Sequence, residues 1–138
     1  MVSLLDIFGK KDVGEELVRK IPYGMKLTFH PYRLNANKME SVLLIIDLKN
    51  LKEEVLLTSI IVKLPKNLGF DQMALSNARE IRLGEITPGE EKVVKVEVWG
   101  NPRTDPGDYP IEVTAICHYR NYGYMLNAEK KEIVLRAV

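Results

Sequence analysis

The residues able to carry chemistry are few. His30 and His118 are the two histidines and Cys117 is the single cysteine of 138 residues. A structural zinc ion needs about four converging nitrogen or sulfur ligands. Cys117 and His118 are neighbours on a stretch that alternates like a strand, so their side chains leave opposite faces, and His30 is far away in sequence. The expectation is one structural thiol, two imidazoles on the solvent side, no metal and no cofactor. Ser41, Ser59 and Ser76 lack the glycine-flanked elbow of an activated serine, and no Asp or Glu is spaced to orient a histidine. The glycines occur singly at turns rather than between a strand and a helix, so there is no phosphate loop. The chain reads as non-catalytic.

What remains is His118-Tyr119-Arg120-Asn121-Tyr122-Gly123-Tyr124. Tyrosine and arginine combine large contact area with directional hydrogen bonds and dominate interaction hot spots. Tyr119, Arg120, Tyr122 and Tyr124 are therefore the candidate partner-binding residues. A plainer role stands beside this one, in which Tyr119 and Tyr124 pair across a hairpin and stabilise it. Phe70, Met73, Leu75 and Trp99 read as core cover, with the loop Lys66 to Ala78 folding a short helix over the open end of its own domain.

These residues must be held by strands. From Met25 onward, runs of Val, Ile, Leu, Thr and Tyr are separated by turn-forming Gly, Pro, Asn and Asp. About seven strands can be placed: Met25 to Asn35, Val42 to Leu51, Val55 to Leu64, Arg79 to Leu83, Lys92 to Trp99, Tyr109 to Tyr119 and Tyr124 to Leu135. Short connections make neighbours antiparallel, and this number of strands suits a two-sheet sandwich. Val94, Val96 and Val98 share one face opposite Lys95 and Glu97, as in a half-buried strand. Pro31 cannot donate to a ladder, so the first strand lies at an edge or is kinked there. Pro88-Gly89 and Pro106-Gly107 both carry the chemistry of a type II turn. Tyr109, just after the second, is placed to tie a corner back to an upstream backbone group.

Two strands differ from this pattern. Leu43 and Ile45 oppose Val42, Leu44 and Ile46, and Leu57 and Ile61 oppose Leu56, Ile60 and Val62, so both strands are apolar on both faces. Before them, Met1 to Ile21 is short and amphipathic, with Leu4, Leu5 and Phe8 on one helical face, and Gly9 and Gly14 weaken it by roughly 1 kcal/mol each. Such a segment orders by docking on protein. Its apolar face is too short to hold a membrane surface without another anchor. Leu4, Leu5, Phe8, Leu43, Ile45, Leu57 and Ile61 are the candidate assembly residues of a homo-oligomer.

Composition narrows the setting. With a net charge of +1 and cations scattered among anions, there is no basic face for nucleic acid. The longest apolar runs fall far short of the roughly 20 residues of a membrane helix, and Met1 to Phe8 lacks the pattern of a secretory signal. One cysteine allows no intrachain disulfide, which points to a cytoplasmic location.

The stretch Leu83-Gly84-Glu85-Ile86-Thr87-Pro88-Gly89-Glu90, a valine strand, and Pro106-Gly107-Asp108-Tyr109 resemble the second half of the CARDB and NEW3-like group of immunoglobulin-like modules. The resemblance covers roughly Ser41 to Val113, and it implies a fold used for adhesion, spacing or partner binding. The amino-terminal segment and the Lys66 to Arg82 insertion depart from that group and fit a stand-alone intracellular form, prokaryotic in setting. The resulting expectation is an all-β, immunoglobulin-like antiparallel sandwich over residues 22–138 with a helical segment over 1–21. Its function would be protein interaction or structure through self-association, the alternative being a small-ligand domain for carbohydrate or lipid.

Overall fold

The computed structural model describes residues 22–138. The helical segment expected over 1–21, with Leu4, Leu5 and Phe8, lies outside the described residues. Within them the elements are all strands: β1 (Tyr23–His30), β2 (Arg33–Leu34), β3 (Ser41–Asn50), β4 (Leu56–Lys63), β5 (Ala78–Ile86), β6 (Glu91–Trp99), β7 (Gly107–His118) and β8 (Met125–Ala137). They form a three-stranded sheet, β1-β3-β6, facing a five-stranded sheet, β2-β8-β7-β4-β5. None of the described residues lies in a helix long and apolar enough to cross a membrane.

The first expected strand is in fact two. β1 pairs antiparallel with β3 and stops at His30, where the His30–Pro31 peptide is cis. The chain then changes sheets, and β2 pairs parallel with the end of β8. The described sandwich therefore has eight strands and one parallel pairing. Pro31 lies in the short connection between β1 and β2, outside both ladders.

Alternation supplies the core. Leu44, Ile46 and Leu48 from β3 meet Ile60, Val62, Ile111, Val113 and Leu135 from the facing sheet, all fully buried. Each such side chain contributes about 1.5–3 kcal/mol on leaving water. Polar groups inside are paired. Tyr23, at the start of β1, shares a 2.6 Å bond with Thr58 Oγ1 on the opposite sheet. Thr58 itself donates to the Leu56 carbonyl, so the tyrosine hydroxyl is the donor between them. Along the open side, Lys131 Nζ of β8 donates to the Met25 carbonyl of β1 at 2.8 Å. That bond caps part of the unpaired β1 edge.

The two Pro-Gly turns part company. Glu90 N–H donates to the Thr87 carbonyl at 3.0 Å and Gly89 has φ 76°, as a type II turn requires. The Glu90 carboxylate accepts from Thr87 N–H and hydroxyl, and these bonds hold it below the ordinary carboxylate range. Pro106-Gly107 does not turn. Gly107 is the first residue of β7, paired with Ala137, and the reversal comes earlier, where Thr104 N–H donates to the Asn101 carbonyl. The Tyr109 hydroxyl reaches back to the Asp105 carbonyl at 2.7 Å.

The long connection after β4 forms no helix. Leu68 and Phe70 enter the core, and Gly69 exchanges both backbone hydrogen bonds with Trp99. Met73 and Leu75, at 71% and 83% exposure, cover nothing. The expected core cover is thus split, because the Gly69 bridge pins the first half of the loop and leaves the second half in solvent.

Candidate functional site

The start of β1, the 51–55 connection, the 87–90 turn and the β7–β8 hairpin share one end of the sandwich. Asn50 organises it. Its side chain is buried and fully engaged, with Nδ2 donating to the Glu54 and Ile86 carbonyls at 2.8 Å each and Oδ1 accepting from Lys52 N–H. Its backbone bonds to Glu90 and Gly89. One residue therefore joins the loops of both sheets. The sequence reading missed it, although an asparagine closing an apolar strand before a charged loop is the usual start of an Asx turn.

The hairpin sorts its four candidate side chains. Tyr119 N–H donates to the Tyr124 carbonyl, Tyr124 N–H to the Asn121 carbonyl, and Arg120 takes a left-handed φ of 67°. This geometry throws Tyr122 back across the outer face of the five-stranded sheet. Its hydroxyl accepts from Gly84 N–H at 3.0 Å, its ring meets His118 edge-on at 5.0 Å, and the Arg82 guanidinium lies 4.6 Å over it. Tyr119, Arg120 and Tyr124 stay in solvent, with the Arg120 guanidinium stacked on Tyr119 at 4.9 Å.

Beneath Tyr122, Ser59 Oγ and His118 Nε2 share a 2.7 Å hydrogen bond. His118, expected on the solvent side, is instead only 7% exposed. It does leave the outer face, as alternation requires, but the returning hairpin covers that face. Nδ1 of His118 has no hydrogen-bond partner among the described residues. Among the described residues no carboxylate orients this imidazole as in a serine nucleophile, and both side chains are buried. His30 is exposed, at the far end of β1. Cys117 points into the core, where burial pushes its thiol above the ordinary range. Among the described residues no three His, Cys, Asp or Glu side chains converge as metal ligands.

The four assembly candidates among the described residues do not share a surface. Leu43 and Ile45 lie on the outer face of the three-stranded sheet, opposite His30 and Thr28 on one side and Glu97 and Lys95 on the other. Leu57 and Ile61 lie on the outer face of the other sheet, on the far side of the molecule. All four are half-buried.

Apolar exposure instead concentrates at the loop end. Leu51, Val55, Tyr119, Tyr124, Met125 and Leu126 are each between 48% and 64% exposed. Val55, Tyr119 and Leu126 of this group, with Leu57, Lys52 and Arg120, line a cleft of about 450 Å³. A wider depression of about 760 Å³ lies at the opposite end, between the 64–77 loop and residues 101–103.

No protein-family model matches the chain, and no curated protein matches it by sequence. Among solved structures, it is similar to native alpha-2-macroglobulin from Escherichia coli. The crystal structure spanning domain MG7 to the carboxyl terminus aligns with TM-score 0.63 and 17% identity over 85% of this chain. The cryo-EM reconstruction of the native conformation aligns with TM-score 0.61 and 17% identity over 85%. The chain spans only 16% and 7% of those two proteins. The likeness is one of fold, and it agrees with the topology: this chain is an immunoglobulin-like β-sandwich.

Proposed function

We propose that the chain is a non-catalytic protein-interaction module that self-associates and presents its hairpin end, with Tyr119, Arg120 and Tyr124, to a protein partner. The observation that carries this reading is the group of exposed apolar side chains at the loop end, set on a 51–55 connection that Asn50 ties down and on a β7–β8 hairpin closed by its own backbone hydrogen bonds. Rigid, partly aromatic loops at one end of a sandwich bind with little ordering cost. The test places a photo-crosslinking phenylalanine at Tyr119 of the full chain and, as control, at Tyr32, which is 73% exposed at the other end. Crosslinks to protein from position 119 and not from 32 support the reading. Equal yields at both positions, or none at 119, defeat it.

The cleft supports a second reading, since about 450 Å³ lies within the usual range for small-molecule sites. Tyr119 and Leu126 would then wall a site for a carbohydrate or lipid. That reading predicts a thermal shift with a sugar or fatty-acid panel that Tyr119→Ala removes; no shift across the panel retires it.

A further inference from the structure

The sandwich has four sheet edges, and three of them are obstructed. β1 is crossed by Lys131. β2 is two residues long. β5 carries a bulge opposite Thr58/Ser59, and beside it Gly84 N–H is taken by Tyr122. Short strands, bulges and covering side chains are ways of blunting an edge. The nine-residue β6 is the exception. Among the described residues its outer side is paired only at Trp99, whose N–H and C=O both bond to Gly69. β6 and β3 pair without a register shift, so backbone groups alternate strictly along β6. The N–H and C=O of Glu91, Val93, Lys95 and Glu97 therefore point the same way as those of Trp99, outward and unpaired.

We propose that this edge pairs with the same edge of a second copy, antiparallel about a two-fold axis at Val93, and joins two three-stranded sheets into one of six. The inference rests on the self-association part of the proposed function and gives it a surface. Charge selects the register. With the axis at Val93, Glu91 of each copy faces Lys95 of the other twice over, and Val93, at 57% exposure the large apolar residue exposed on this strand, faces itself. Shifting the axis to Lys95 or Lys92 opposes two lysines directly. An axis at Val94 sets Glu91 against Glu97 twice. An axis at Val96 requires the edge groups of Trp99, which Gly69 already holds. Opposite charges facing across strands stabilise the pairing and like charges oppose it.

The test is multi-angle light scattering and sedimentation velocity on the full chain across a hundredfold concentration range. The expected result is a dimer for the natural sequence and monomers for Glu91→Lys and for Lys95→Glu, each of which brings like charges together. Mixing those two variants should restore a dimer, now a heterodimer, because positions 91 and 95 are both lysine in one copy and both glutamate in the other. Val93→Pro, which removes an N–H that bonds to nothing within the described chain, should be a folded monomer by circular dichroism. A dimer that survives all three substitutions overturns the β6 pairing and leaves self-association standing. A natural chain that is monomeric throughout overturns both.

Discussion

Replacing Tyr122 separates its structural role from the recognition role assigned to its neighbours. Tyr122→Phe removes the phenol oxygen that accepts from Gly84 N–H, and loss of one such half-buried bond costs about 1 kcal/mol. Tyr122→Ala also removes the edge-on ring against His118, worth about 0.5–1.5 kcal/mol. It removes the partner of Arg82 as well, a contact at the low end of the roughly 0.5–1 kcal/mol range because that arginine is largely in solvent. With the area the ring covers, the alanine variant should lose about 3 kcal/mol, close to 10 °C in Tm for a domain of this size. Tyr119→Ala and Tyr124→Ala, whose rings stand in solvent, should stay within about 0.5 kcal/mol of the natural chain. Urea unfolding followed by circular dichroism reads all four. Diethyl pyrocarbonate with mass spectrometry adds an independent readout: His30 reacts in every variant, and His118 only once Tyr122 is alanine. If the alanine and phenylalanine variants unfold together and His118 stays protected in both, the ring is not the cover of the Ser59–His118 pair and the reasoning fails.

Burial raises the Tyr23 hydroxyl above its ordinary range. The unfolded chain therefore ionises first, so stability should be full below the ordinary tyrosine pKa of about 10 and fall as pH rises past it. Tyr23→Phe should flatten that alkaline loss in urea titrations at about pH 9 to 11; an unchanged slope would place the alkaline loss elsewhere. Tyr109→Phe deletes the bond to the Asp105 carbonyl and should cost about 1 kcal/mol, towards the lower end because the carbonyl can turn to water; a loss above about 3 kcal/mol would mean the corner does more than the bond shows. Gly69→Ala would bring a Cβ to 2.7 Å from the Ala74 Cα, so the loop must shift away from Trp99. A cost of about 1–3 kcal/mol and faster exchange of the Trp99 amide are expected, and an unperturbed amide would contradict the pinning role given to Gly69.

Much of the architecture was legible along the chain because it depends on neighbours two residues apart. The alternation of Val94, Val96 and Val98, and of Ile111, Val113, Ala115 and Cys117, specified which face of each strand is buried, and the sandwich buries those faces. The turn at Pro88-Gly89 follows from φ preferences that act within four residues. Pairing between distant segments is not local in this sense. That Pro31 marks a change of sheet, that Gly107 opens a strand, and that Leu43 and Ile45 sit opposite Glu97 and Lys95 all depend on which strands become neighbours. His118 shows the difference most directly. Alternation sent it outward, as the sequence indicates, but outward is not exposed: a left-handed residue at Arg120 turns Tyr122 back over it, and Asn50 ties together loops 36 residues apart. Residue types and period determined the strands and their inner faces. Only the closing of the two sheets decided which outer surfaces stay open to a partner, because exposure is set by what packs above a side chain and that neighbour is chosen by the fold.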